Sequence, residues 1–304
     1  MRSFAATIAA FISVVFVGSL LAAQNVPASG NSAGWYGAIN FGVAHDVDGW
    51  NNELGSTLGY DMDRHWALES GVPLFFVSPS SSATTTTTTS TSGSYAALGD
   101  AFARLKFDPG WKAARYNTSF TGTAPTGSRD HGISSGHATW NWDNKVETDI
   151  WKVSPYVQAS LANSLANSMN FQRAFTTYGF ISQQKAGLSF DIFKSVSLDA
   201  SYYNVAPLAD QTVFSHVRGK GSSNGTANSN AKGKGNGRVF EDNAVVSGSS
   251  SLTKDHGFGG GISASPAKHV DWSLDYNRSV GYQTNTISTS IGYRFGHMTD
   301  AGKK

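Results

Sequence analysis

The sequence predicts an all-β fold, an antiparallel up-and-down transmembrane β-barrel of about twelve strands. Three observations lead to this prediction: the alternation of the last strand, an apolar leader at the N-terminus, and connections of two distinct lengths. In the segment 286–295, apolar or β-branched residues alternate with small or polar residues, one of which is Arg294. A strand with one apolar face and one charged face is typical of a barrel wall with lipid outside. A soluble secreted sandwich, which would bury the same apolar faces against a second sheet, is the alternative.

The first 23 residues predict a cleaved secretory signal peptide. Arg2 supplies the positive start, an apolar stretch covers 4–21, and Leu21-Ala22-Ala23 is a small-residue cleavage site. A retained membrane anchor is the alternative interpretation. No later stretch reaches the roughly 18 consecutive apolar residues of a membrane helix. We therefore expect a protein that is exported to the outer membrane of a Gram-negative bacterium and held there by strands in residues 24–304.

Composition narrows the classes of function. Removal of the leader leaves 281 residues with 22 basic and 21 acidic side chains, so charge makes no case for nucleic acid binding. The absence of cysteine excludes disulfides, thiolate metal sites and a lipid-modified N-terminal cysteine, and no cofactor is expected. A hydrophobic content of 39% with a mean hydropathy of −0.26 is too polar for helical spans but normal for alternating strands.

Alternation predicts the strands in order along the chain. An even number of strands places both termini on one side of the membrane, as in single-chain bacterial barrels. The predicted strands lie near 34–44, 54–61, 65–76, 96–107, 113–123, 138–147, 154–163, 180–191, 195–205, 256–265, 269–279 and 285–295.

The connections between these strands are either short or long. Short turns facing the periplasm and long loops facing the exterior are typical of outer-membrane barrels. The long loop at 206–255 contains a basic, glycine-rich tract, 219–237, that could attract anionic lipopolysaccharide or solute, although a solvated flexible loop explains it equally. The predicted long loops cover 77–95, 124–137, 164–179 and 206–255.

Several segments, in their order along the chain, resemble one family. They are GDAFARLKF (99–107), TSFTGTAPTG (118–127), SPYVQASLANS (154–164), FTTYGFISQQKAGLSFDIFKSVSLDASYYNVAP (175–207) and TKDHGFGGGISASP (253–266). Together they resemble the outer-membrane β-barrel family of transporters of the phenol meta-cleavage pathway. The resemblance implies uptake of hydrophobic or aromatic compounds and brings no catalytic motif. The fatty-acid channels, which are distantly similar, carry a long N-terminal hatch; only 24–33 would precede the first strand here, so no hatch is expected.

Strand parity predicts which charged residues face the lumen. On the lipid face each would cost about 2–4 kcal/mol near the midplane. We expect a belt of opposed charges in the periplasmic half of the lumen, either as a solvated constriction that selects solutes or as paired charges that close a small barrel. Its expected groups are Glu69 with Arg104 and Arg115; Arg294 with Asp271 or Asp275; and Asp199 with Lys185 and Asp191. Lys106 is expected to face the lumen as a further member of the belt.

Enzyme chemistry has few candidates. His45-Asp46, Asp130-His131 with two nearby serines, and Asp255-His256 could form parts of a triad, but each lies in or beside a long loop, where polar residues are expected anyway. No histidine pair has metal-ligand spacing. We therefore expect no catalytic residues and no metal site.

These observations lead to a ranked expectation of function. The first is a passive outer-membrane channel or transporter for small solutes, possibly hydrophobic or aromatic compounds. The second is a structural or surface-interaction barrel with a plugged lumen, and a membrane hydrolase ranks third. The expected partners are outer-membrane lipid and lipopolysaccharide, a small-molecule solute, and the barrel assembly machinery through the C-terminal strand, with no nucleic acid.

Overall fold

A computed structural model of the protein describes residues 33–46, 49–79, 94–111, 114–165, 173, 175–193, 195–216, 245–248 and 253–295. Across these residues the chain forms sixteen β-strands. Within them there is no helix long and apolar enough to cross a membrane. The predicted signal peptide at 1–23 and the basic tract at 219–237 lie outside the described residues. The strands are β1 (Gly34–Asp46), β2 (Gly49–Asp61), β3 (Trp66–Pro79), β4 (Tyr95–Leu98), β5 (Ala101–Phe107), β6 (Arg115–Ala124), β7 (Thr139–Glu147), β8 (Val153–Ala162), β9 (Phe175–Tyr178), β10 (Ile181–Phe193), β11 (Val196–Pro207), β12 (Gln211–Ser215), β13 (Val245–Gly248), β14 (Asp255–Ala267), β15 (Val270–Ser279) and β16 (Asn285–Arg294).

Thirteen strands form one sheet that closes on itself. Each strand pairs antiparallel with its neighbours, and β1 bonds to both β2 and β16, which joins the two ends of the chain. Strands β4 and β5 pair with successive parts of β3 and together occupy one strand position in the wall. The closed barrel therefore has twelve strand positions. The predicted fold class is confirmed. Closure leaves the sheet without a free edge.

Alternation separates an apolar outer surface from a polar lumen, as the sequence of β16 predicts. Ile287 and Ile291 are exposed on the outside of β16, whereas Ser288 between them is buried inside. The same holds on β10, where Leu188 points outward with 54% of its surface exposed and Ile181 is fully buried within. Period-2 geometry makes this separation, because successive side chains of a strand leave opposite faces of the sheet.

Three inward tyrosines lie flat on the barrel wall because the residue opposite each one is glycine. Tyr36 faces Gly59 on the next strand, and a Cβ at Gly59 would lie 2.2 Å from the tyrosine ring. Tyr156 faces Gly187 in the same way, with a corresponding distance of 2.6 Å. The third pair is Tyr203 with Gly257 on β14. Such aromatic-over-glycine pairs fix the register and place phenol groups in the lumen.

The structure departs from the predicted strands at two places in the wall. Strand β2 begins at Gly49 rather than at residue 54, because its pairing with β1 extends as far as Gly49 opposite Asp46. The predicted strand 96–107 is broken between Leu98 and Ala101. At the break the Gly99 N–H donates to the Pro73 carbonyl, and the Asp100 carboxylate accepts from the Gly127 N–H. The connection between β6 and β7 therefore packs against the barrel wall at this break.

Two of the predicted long loops contain strands, which corrects the expectation that 164–179 and 206–255 are loops throughout. Strands β9, β12 and β13 form a separate sheet in the order β13-β12-β9. Phe175 of β9 and Val213 of β12 are buried against Ile181 and Val205 of the barrel wall. We call this sheet, with Arg173 before it and His216 after it, the lid.

The lid lies at the long-loop end of the lumen. On β10 the inward residues become more exposed with distance from the lid, from Ile181 through Lys185 to Asp191. Along this part of the wall the lumen is therefore covered by the lid at one end and reached by solvent at the short-turn end.

Candidate functional site in the barrel lumen

A charged group surrounds Glu69 on the inner wall near the short turns. Register places Glu69 of β3 directly opposite Arg104 of β5. The Glu69 carboxylate lies 3.3 Å from the Arg104 guanidinium and 2.5 Å from Lys106 Nζ, and it accepts a 2.8 Å hydrogen bond from the Tyr36 hydroxyl. The Glu69 side chain is fully buried, whereas Arg104 and Lys106 each keep 24% of their side-chain surface exposed. The carboxylate is thus enclosed, and its two cations face the solvent of the lumen.

The same wall carries a second ion pair. Arg294 of β16 lies 2.7 Å from Asp271 of β15, whose other oxygen accepts from Ser265. Asp61 at the end of β2 interacts electrostatically with Lys106 and Arg294, and so connects this pair to the group around Glu69. A network of alternating charges therefore runs across β15, β16, β1, β2, β3 and β5.

The opposite wall has a looser group around Tyr156. Its hydroxyl donates to the Asp199 carboxylate at 3.2 Å. Lys145 and Lys185 lie over the Tyr156 ring at 4.4 and 5.7 Å, and Asp275 interacts electrostatically with Lys185. This wall therefore presents two cations to the lumen, and these cover the buried ring of Tyr156.

The structure brings together some of the predicted belt residues and separates others. Arg115 does not join Glu69; it pairs with Glu147 and, at 2.7 Å, with Asp149 at the exposed short-turn rim. The predicted height match fails for Arg115 because the register places Thr121 opposite Arg104, and Arg115 lies six residues closer to the short-turn rim on the same strand. Arg294 forms its ion pair with Asp271, which is one of the two partners that the sequence predicts for it.

The remaining belt residues lie where the register of β10 and β11 puts them. Ser189 pairs with Asp199 and donates to its carboxylate, while Lys185 reaches Asp199 through electrostatics rather than a direct ion pair. Asp191 is exposed at the short-turn end.

Sequence reasoning missed several lumen groups. Lys145 and Glu147 form an ion pair at 2.5 Å on the inner face of β7, and Tyr36, Asp61 and Tyr156 contact the charged groups above. The sequence of β7 contains a pattern that could have predicted the Lys145–Glu147 pair. Charged residues at every second position indicate the inner face of a barrel strand, just as alternating apolar residues indicate the outer face.

The lid is attached to the barrel by buried polar contacts. The Asn51 amide donates to the Arg173 carbonyl at 2.6 Å, and the Tyr95 hydroxyl donates to the His216 carbonyl at 2.5 Å. His216 Nε2 lies 3.0 Å from the Thr176 hydroxyl. Burial lowers the pKa of His216 to about 3, against a smaller opposing effect of the Gly132 carbonyl, so its imidazole is neutral at pH 7.

A second attachment surrounds Asp255 at the start of β14. Its carboxylate accepts hydrogen bonds from the Tyr203 and Ser279 hydroxyls at 2.9 and 2.7 Å. Arg173 of the lid interacts electrostatically with Asp255; burial lowers the pKa of Arg173 and this carboxylate opposes the shift. The lid is therefore held to the rim by charge as well as by apolar packing.

The residues considered for catalysis do not assemble into a triad within the described chain. His131 Nδ1 lies 2.7 Å from the Ser128 hydroxyl, not from Ser134 or Ser135. The segment 132–136 has the G-x-S-x-G pattern of hydrolase elbows, but Ser134 is fully buried, its hydroxyl accepts from the Gly136 N–H, and no helix follows it.

The other two candidates are also divided. Asp255 points inward to Tyr203 and Ser279, whereas His256 is exposed on the outer face of the same strand. His45 packs against Trp50 on the outer surface in a tilted arrangement, with ring centroids 4.4 Å apart. The described residues also contain no group of three histidine or carboxylate side chains placed to hold a metal ion.

Comparison with known proteins shows the fold. No protein-family model matches the chain, and no curated protein sequence matches it. An outer-membrane channel from Pseudomonas putida F1 superimposes with a TM-score of 0.52 at 10% identity, over 90% of this chain and 100% of that one. The NanC porin gives a TM-score of 0.46 at 5% identity, covering 84% and 98% of the two chains. The KdgM porin in complex with disordered oligogalacturonate gives 0.45 at 9% identity, covering 85% and 99%.

Proposed function

We propose that the protein is an outer-membrane channel for small solutes. The observation that supports this most is a closed twelve-stranded barrel, whose outer surface is apolar and whose lumen is lined by charged and polar side chains. Burying so many charges inside is costly unless water reaches them, and the partial exposure of Arg104 and Lys106 indicates that it does. A wetted, charged lumen suits selective passage of solutes.

The outer surface supports a membrane location. Aromatic side chains cluster near both ends of the barrel, with Trp35 against Tyr60 at the short-turn end and Trp140 against Phe180 at the long-loop end. Between them lie exposed leucine, isoleucine and valine side chains. An apolar band between two aromatic girdles matches a bilayer, and a soluble protein would not leave this surface uncovered.

The proposal extends to the orientation of the barrel in the membrane, its insertion and its solute. Short turns face the periplasm, and the lid and long loops face the exterior, where lipopolysaccharide surrounds them. Insertion through the barrel assembly machinery would use the C-terminal strand β16. The family resemblance makes hydrophobic or aromatic compounds the proposed solute class.

The lid favours the rival function, a plugged barrel whose work is done at its surface. In the described structure it covers the long-loop end of the lumen, so the channel reading requires that the lid undock. A channel and a plugged barrel would both have this fold and this lid. They differ in whether the barrel conducts an ionic current across the membrane.

Single-channel recording in a planar bilayer tests the proposal. We expect discrete, voltage-dependent openings from the wild-type protein, because the lid is held by a limited set of contacts rather than by continuous strand pairing with the barrel. The recordings use folded protein, which is identified because an unheated sample migrates differently in electrophoresis from a heated one. No current from wild type or from a variant with an undocked lid, at any voltage, would establish the plugged barrel.

Opposite charge changes around Glu69 should shift ion selectivity in opposite directions. We expect Glu69→Gln to move the reversal potential in a salt gradient toward anions, because Arg104 and Lys106 then face the lumen without a carboxylate, and Arg104→Ala to move it toward cations. Stability should fall by about 1–3 kcal/mol in Glu69→Gln, since its cations can rehydrate. Reversal potentials that move in the same direction for both variants would contradict a solvated constriction at this site.

A further inference from the structure

A separate polar cluster lies on the wall formed by β2, β1 and β16, beyond the charged network. It consists of Glu53, Asn40 and Ser288, one residue from each of these three adjacent strands. Gly42 pairs with both Glu53 and Ser288, and Gly55 pairs with Asn40. All three polar residues face inward, and Gly55 places no side chain between Asn40 and Glu53.

The cluster is buried, and several of its polar atoms lack partners in the part of the chain that the structure describes. Glu53, Asn40 and Ser288 retain 8%, 5% and 5% of their surface. Among the described residues, Glu53 Oε2, both amide atoms of Asn40 and the Ser288 hydroxyl have no hydrogen-bond partner, and Glu53 belongs to no ion pair. Buried polar groups in folded proteins are almost always hydrogen-bonded, so this concentration on one patch needs an explanation.

The geometry shows that the atoms converge without satisfying one another. Asn40 Nδ2 and Glu53 Oε1 lie 3.6 and 3.7 Å from the point where a Cβ of Gly55 would be. They flank one small space, yet no hydrogen bond joins them. A third group placed in that space could contact both side chains, while any side chain at residue 55 would occupy it.

The chemistry of the cluster selects the group. It offers three kinds of acceptor oxygen, from a carboxyl group, an amide and a hydroxyl, and the carboxyl group supplies one negative charge when it is ionised. A primary ammonium carries three N–H donors and one positive charge, and hydrogen bonds between ionised partners are the strongest. A bound ammonium would therefore hold Glu53 in its ionised form, which water alone, having no charge, would not do.

We propose that Glu53, Asn40 and Ser288 bind the primary ammonium group of a small solute beneath the lid. This site rests on the proposed channel function, because only a solute admitted to the lumen reaches it. The remaining Asn40 amide donor favours solutes with an acceptor oxygen next to the amine. The lid makes the site enclosed, and the enclosure strengthens each charged hydrogen bond relative to water.

Ligand-observed saturation-transfer NMR on the full-length protein in detergent tests the site, with methylammonium as the probe and tetramethylammonium as its matched control. Methylammonium should give a signal in the wild type, a dissociation constant about tenfold higher in Ser288→Ala, and no signal in Glu53→Gln. Asp210→Asn, which removes the same charge from an exposed position, should bind as the wild type does. Tetramethylammonium has no N–H donor and should give no signal.

Equal signals from the two cations would overturn the proposal, since they would reflect charge attraction without hydrogen-bond recognition. So would an undiminished methylammonium signal in Glu53→Gln, or displacement of methylammonium by an equal concentration of potassium. If Glu53→Gln does not fold, Ser288→Ala decides the matter alone. The binding readout is independent of conductance: loss of current with binding intact rejects the channel, and current without binding rejects the site.

Discussion

Val213→Asp is expected to convert a mostly closed channel into a steadily open one. Val213 is fully buried where the lid packs against Ile181 and Val205. A carboxylate there would be enclosed by apolar side chains with no cation beside it, which costs about 3 kcal/mol or more. That is more than a hundredfold in the docking equilibrium of the lid. The barrel wall itself should remain intact, because the ladder of β10 and β11 does not involve β12.

Open probability in planar bilayers measures this effect. Leu208→Asp is the matched control: it introduces the same charge five residues earlier in the same connection, at an exposed position, and should leave the open probability unchanged. Val213→Ala should give an intermediate increase, since it removes packing without adding charge. A correctly folded Val213→Asp barrel that stays closed would show that the lid does not gate the lumen.

Acidification is expected to open the lid through His216. Above pH 6.5 the imidazole is neutral whether the lid is docked or free, so docking has its full strength. Below pH 6.5 the exposed imidazole of the free lid binds a proton, but the buried one does not until about pH 3. Docking is therefore weakened as pH falls across this window, by up to about 1.4 kcal/mol per pH unit. Open probability should rise between pH 7 and pH 4.

His216→Gln should flatten this pH dependence while keeping a group able to bond Thr176. The lumen carboxylates also titrate in acid, so the comparison is made between the slopes of the variant and the wild type rather than at a single pH. A variant slope equal to that of the wild type would assign the pH response to other groups.

The barrel could be predicted from the sequence because strand alternation is local information. Ile287, Ser288 and their neighbours take opposite faces whatever they pair with, and the same parity places Glu69 and Arg104 inside. Direct register between neighbouring strands also follows from short turns, which is why the Glu69–Arg104 and Asp271–Arg294 pairs could be anticipated.

Boundaries and loops could not be predicted in this way. The predicted second strand begins at residue 54, one residue after Glu53, because the polar run 51–53 has the composition of a loop. The strands of the lid are four or five residues long, too short for a periodic signal to emerge from Thr-rich and Gly-rich surroundings.

The sequence by itself determined the fold class, the outward apolar face and the inward charges of this protein. The tertiary structure alone decided that the lumen is covered, that Arg115 leaves Glu69 for Glu147, and that Glu53 lies buried beside Asn40. These outcomes depend on contacts between distant segments, such as Asn51 with Arg173 across 122 residues and Tyr95 with His216 across 121. Such contacts form only after closure of the sheet brings the loops to one rim, and no local period in the chain encodes them.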